Sequence, residues 1–65
     1  MAKNNAILTN AEEGKTVVLH AVDGGVFVEV FEGSLEEADL RYFQAGAKLE
    51  RQIEAHLNLG YTLES

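Results

Sequence analysis

The chain has no cysteine, no proline and no tryptophan, and it is poor in bases. Without cysteine there is no disulfide framework and no thiolate zinc site, so 65 residues must hold together on a core that is 46% apolar in composition, or on a partner. A chain of this size buries only about 60% of the surface its unfolded form exposes. The missing thiols fit a reducing compartment. Without proline, repeats or low-complexity runs there is no linker at which to divide the chain, and one domain spanning residues 1–65 is expected. Long apolar runs are missing too. The stretch Ala6 to Leu8 is too short for the apolar centre of a secretory signal, and no segment approaches the roughly 20 apolar residues of a membrane span. A cytoplasmic location is the expectation.

Five Lys and Arg stand against eleven Asp and Glu, a net charge of −6 spread evenly over both halves of the chain. Such a balance repels nucleic acid and anionic membranes and favours basic protein surfaces. It also serves plain solubility.

The segments "KTVVLHAV" (15–22) and "GVFVEVFE" (25–32) are rich in β-branched and aromatic residues and read as strands. Between them Val22-Asp23-Gly24-Gly25 supplies either an Asp-Gly or a Gly-Gly pair for a two-residue hairpin, whose turn positions require positive φ. Either two-residue register places Val17, Leu19, Ala21, Val26, Val28 and Val30 on one apolar face. A third strand is expected at 6–9, joined through the Asn10–Gly14 loop. Ser34-x-x-Glu37 has the form of a capping box and Gly60 that of a left-handed cap, so the sequence predicts a helix over 34–59. Its stripe of Leu35, Ala38, Tyr42, Gly46, Leu49, Ile53 and Leu57 falls within about 60° of one line on a helical wheel. A short edge strand at 61–64 would follow. The expected fold is α+β, with two layers: a three-stranded antiparallel sheet, or a four-stranded one with the edge strand, packed on one helix.

Two surfaces remain after the core is assigned. On the helical wheel Glu36, Asp39, Glu50 and Glu54 fall on one flank beside Leu40 and Phe43, with Arg41, Lys48 and Arg51 opposite and Glu37 paired to Arg41 one turn on. Glu36 and Glu37 complement the helix dipole; the remaining flank residues read either as a solvated face or as one that a partner contacts. The outer sheet face would carry Thr16, Val18, His20 and Val22 beside Phe27, Glu29 and Phe31, where a single-layer sheet ordinarily carries polar residues. Cover by the N-terminal arm or the tail would explain it, as would a contact patch rimmed by Glu29 and Glu32.

Chemistry is sparse. His20 faces Glu29 across the hairpin, a pairing more often structural than catalytic. Ser34 is a cap and Ser65 ends the chain. Gly14-Lys15-Thr16 echoes a phosphate loop, but Thr9 stands where that loop needs glycine and a strand follows instead of a helix. Glu50, Glu54 and His56 match no metal-ligand spacing. No catalytic residue, metal or cofactor is expected, and the constellation needed to begin an enzyme mechanism is missing.

The stretch "EEADLRYFQAGAKLERQIEAHLNLGYTLE" is similar to the end of a WGR domain, in which a helix bearing an aromatic residue and a lysine runs into Gly-Tyr and a last strand. The Trp-Gly-Arg motif itself is absent, and the resemblance implies only a fragment of fold. In size, acidity, lack of cysteine and layout, the whole chain resembles the small anti-CRISPR proteins of phages and mobile elements that inhibit type I surveillance complexes. That resemblance implies a non-enzymatic inhibitor in the host cytosol. It would act as an acidic DNA mimic that occupies the basic site where a Cas subunit grips DNA. The expected partner-binding residues are then Glu29, Glu32, Glu36, Asp39, Leu40, Phe43, Glu50 and Glu54, on a monomer or weak homodimer. The alternative is a structural or adaptor module that self-associates or binds a protein through its outer sheet face.

Overall fold

The computed structural model describes residues 4–65. Five strands and one helix follow one another as β1 (Asn5–Asn10), β2 (Lys15–Val22), β3 (Gly25–Glu32), β4 (Leu40–Ala45), α1 (Leu49–Asn58) and β5 (Thr62–Leu63). The strands form one antiparallel sheet in the order β4-β3-β2-β1-β5. The α+β class stands, and the sheet has five strands where three or four were expected.

The first half of the sheet follows from its alternation. Asp23 and Gly24 make the two-residue turn with Val22 paired to Gly25, and of the two turn residues only Gly24 takes the expected positive φ, at 86°. This register sets Val17 opposite Val30, Leu19 opposite Val28 and Ala21 opposite Val26. Leu8, Leu19, Val26 and Val28 are fully buried, with Ala6 and Val17 beside them. Each large side chain so buried contributes about 1.5–3 kcal/mol relative to exposure. Val30, Ala47, Leu49, Ile53 and Tyr61 close over this cluster.

The expected helix over 34–59 is corrected at its front half. Residues 33–39 form a bent loop, 40–45 are strand β4, and helix begins only at Leu49. Ser34 Oγ accepts the Glu36 N–H at 3.1 Å, a local turn of the serine and not a helix cap. Gly46 sits at φ 76°, a left-handed conformation that no helix interior contains. Over Leu40–Ala45 the pleat sends Leu40, Tyr42 and Gln44 to the core face and Arg41 and Phe43 to the other, so a period of two wins over 3.6. Pairing to β3 decides the contest, because it satisfies a row of backbone groups that would otherwise lie open.

At the other end of α1 the expectation stands. Tyr61 N–H bonds to His56 C=O and Gly60 N–H to Leu57 C=O, the paired bonds of a Schellman ending, with Gly60 at φ 99°. β5 is shorter than the expected 61–64, but Glu64 and Ser65 continue backbone bonding to Ile7. The helix contacts β1, β2 and β5, leaving the core face of β4 less covered: Leu40 is 54% and Tyr42 38% exposed.

Candidate functional site

The helix occupies one side of the sheet, and no helix or strand among the described residues lies over the other. The C-terminal residues run beside β1 instead of across the face; the N-terminal arm before Asn4 lies outside the described residues. Among the described residues the outer face is open. Its side chains form transverse rows set by the register. Asn5, His20, Phe27 and Phe43 make one row, Ile7, Val18, Glu29 and Arg41 the next, and Thr62, Thr9, Thr16 and Phe31 a third. Phe43 and Ile7 are exposed, as is Val22 at the hairpin end.

A charge bridge runs through the middle of these rows. Glu29 receives His20 Nε2 at 2.8 Å on one carboxylate oxygen and Arg41 Nε at 3.2 Å on the other. Glu29 and Arg41 are directly paired across β3 and β4, whereas His20 reaches Glu29 diagonally from its place opposite Phe27. The expected pairing of Arg41 with Glu37 on a helix is replaced by this one. The pairing neutralises the carboxylate at the centre of an aromatic patch. Partly exposed ion pairs of this kind contribute about 0–1 kcal/mol, so the bridge orders the face more than it stabilises the fold. His20 and Phe27 rings lie 6.1 Å apart, extending the same row.

β4 also leaves its backbone open. The Gly46 N–H to Gly24 C=O bond sets the phase of the β3–β4 ladder: even-numbered residues of β4 exchange hydrogen bonds with β3. Arg41, Phe43 and Ala45 then direct their N–H and C=O groups away from the sheet. The opposite margin is different, for β5 and the residues after it cover β1.

The acidic flank expected from a helical wheel is not assembled. Glu50 and Glu54 are exposed on α1, Glu36 is in the β3–β4 loop, and Leu40 and Phe43 point to opposite faces of β4. Glu29 lies within the outer face. Glu32 and Asp39 do meet, the Glu32 N–H donating to Asp39 Oδ2 at 2.6 Å while the Asp39 N–H donates to Val30 C=O at 2.8 Å. Asp39 therefore fixes the entry into β4. Exposed Glu32, Glu36, Glu37 and Asp39 gather in sequence around this loop. Sequence reasoning missed Ile7 and Arg41 on the outer face and the open edge altogether. The signal for Arg41 and the edge was the alternation in "LRYFQA", and that for Ile7 the alternation in "NAILTN".

A cleft between the start of α1 and the hairpin end is lined by Ala21, Gly25, Ala47, Leu49 and Ile53, with Lys48 and Glu50 also at it. It holds no convergent set of titratable groups. No helix among the described residues is long and apolar enough to cross a membrane.

No known family model, curated protein or solved structure matches this chain.

Proposed function

We propose that this chain is a non-enzymatic protein-binding module that takes a partner onto the outer face of its sheet. One observation carries the reading: Phe27, Phe31, Phe43, Ile7 and Val18 share a face over which no helix or strand of the described residues packs. Aromatic residues and arginine are what protein interfaces concentrate, and a contiguous apolar patch of this kind marks a contact surface more often than a solvated one. The Glu29 bridge gives the patch a hydrogen-bonding centre that is already paired, so desolvating it costs less than burying a lone carboxylate. The acidic β3–β4 loop beside it favours a partner with basic residues around an apolar contact.

The acidic inhibitor is the second reading, supported by the charge of −6 and by Glu32, Glu36, Glu37 and Asp39 around one loop. There the carboxylates take the place of phosphates on a basic DNA-handling protein, a Cas subunit in the anti-CRISPR version. The two readings place the binding energy on different residues and separate by substitution.

Tagged protein is incubated with a lysate from cells carrying an active type I CRISPR-Cas system, at about 0.1 M and 0.5 M salt, where exposed charge pairs are largely screened at the higher value. Under the outer-face reading, Phe27→Thr with Phe31→Thr abolishes specific capture, and Glu36→Lys with Glu37→Lys leaves most of it at high salt. Threonine keeps strand propensity at both sites, and circular dichroism checks the fold. Loss of capture in the lysine variant with retention in the threonine variant would transfer the function to the acidic loop. Unchanged capture in both would sink both readings.

A further inference from the structure

We infer that two copies of this chain pair antiparallel through β4, edge to edge, with the two-fold axis at Phe43. The inference concerns the backbone edge and leaves the outer face free in both copies, so it stands apart from the outer-face reading.

β4 is open on three sides. Its outward N–H and C=O groups at Arg41, Phe43 and Ala45 have no strand beside them, and Leu40 and Tyr42 are exposed on one face and Phe43 on the other. Edge strands that avoid association are blunted by proline, a bulge, a lysine or an inward-pointing charge. β4 has no proline and no lysine, and its single charged side chain, Arg41, is held by Glu29.

The charge pattern selects the second copy and its direction. Acids precede the strand, at Glu36, Glu37 and Asp39, and the first charge after it is Lys48, with Glu50, Arg51 and Glu54 in balance on α1 beyond it. Antiparallel pairing sets the acidic end of each copy near Lys48 of the other, whereas parallel pairing would stack acid on acid. This local complementarity works against the repulsion between two chains of net charge −6.

The hydrogen bonds select the register. With Phe43 opposite its counterpart, Arg41 faces Ala45 of the second copy, and every outward backbone group of the three residues finds a partner. Sliding by two residues to centre on Tyr42 would require the Asp39 N–H, which Val30 C=O already holds. Gln44 Oε1, buried and without a hydrogen-bond partner, lies in the row that Tyr42 of the second copy enters. The other edge strand, β5, is only two residues long, too short a template for further pairing, so assembly stops at two.

The absence of cysteine makes the register directly measurable. Paired hydrogen-bonded residues lie about 5.5 Å apart at Cα, within the range a disulfide spans. Under mild oxidation Phe43→Cys is expected to cross-link to a dimer, and Ala45→Cys to do so at least about tenfold more slowly, being offset by four residues from its own counterpart. Sedimentation equilibrium should show a monomer–dimer equilibrium that goes no further. Ala45→Pro removes an outward N–H on each side of the axis and touches no internal bond, and it should weaken dimerisation by about tenfold or more with the circular dichroism unchanged. A wild-type chain monomeric at millimolar concentration, or equal cross-linking of the two cysteine variants, would overturn the inference.

Discussion

Gly25→Ala is expected to destabilise the domain by about 3 kcal/mol, the upper end of what overpacking costs. A Cβ at Gly25 would overlap the Gln44 carbonyl oxygen and lie 3.0 Å from Phe43 Cζ. The first neighbour is backbone and cannot swing away. The strain therefore falls on the β3–β4 pairing, where Gly25 stands opposite Ala45. A single small core of this size supplies roughly 3–5 kcal/mol in total, so the variant should lose β4 or the whole fold. Gly46→Ala makes the comparison. Nothing lies within 4 Å of a Cβ there, but φ is 76°, and the left-handed backbone alone costs about 1–2 kcal/mol. Urea unfolding of the two variants separates steric conflict from backbone strain. If Gly25→Ala were no more damaging than Gly46→Ala, the close approach of β4 to the hairpin would be wrong.

Leu19→Ala should be the most damaging core truncation. Leu19 is 0% exposed in the central strand, opposite Ala6 on one side and Val28 on the other. Buried Leu→Ala changes cost about 2.7–5 kcal/mol, the loss growing with the cavity left behind. Strands on both sides hold the site open, so little collapse is available, and the expected cost of about 4 kcal/mol is comparable with the stability of a domain this small. The melting temperature should fall by about 15 °C or more, given roughly 4–8 °C per kcal/mol at this size. Leu59→Ala, at a residue 71% exposed, should stay within about 0.5 kcal/mol of the parent. Equal effects at the two leucines would mean that the buried face has been misassigned.

Both predictions draw on parts of the molecule that the sequence discloses unequally. The hairpin and its core face were legible because three independent signals agree there: β-branched composition, period-two alternation and an Asp-Gly turn. Gly60 was legible as a cap for similar reasons. Residues 34–48 were not, because two periodicities overlap in them. Leu35, Ala38, Tyr42, Gly46 and Leu49 make a passable helical stripe, while Leu40, Tyr42 and Gln44 make a passable strand face. Ser34 and Glu37 tip a local reading towards helix. The deciding term is non-local: β3 has a free side whose even-numbered backbone groups need partners, and Tyr42 and Phe43 are strand formers. Two features favoured the strand, the adjacent aromatics and the glycine that follows them, but neither outweighs a capping box when residues are read one window at a time.

The site inherits the same division. Val18, His20, Phe27, Glu29 and Phe31 could be placed on the outer face from the hairpin alone, and the His20–Glu29 contact with them. Arg41 and Phe43 could not, since a helix would have carried them elsewhere. Once β4 is a strand, Arg41 completes the Glu29 bridge and Phe43 completes the aromatic patch, and the acids that the wheel had gathered separate into a loop and a helix. Strand pairing at 40–45 thus moves the candidate surface from the helix to the sheet.

Residues 40–45 form a strand with one open edge, and amide hydrogen exchange on dilute protein tests this residue by residue. Backbone amides bonded to β3 should exchange slowly and those directed outwards rapidly. The expected pattern alternates, with Tyr42 and Gln44 protected and Arg41, Phe43 and Ala45 unprotected. Protection of consecutive amides from 40 to 45, as within a helix, would contradict the open edge and with it the outer-face surface built on Arg41 and Phe43.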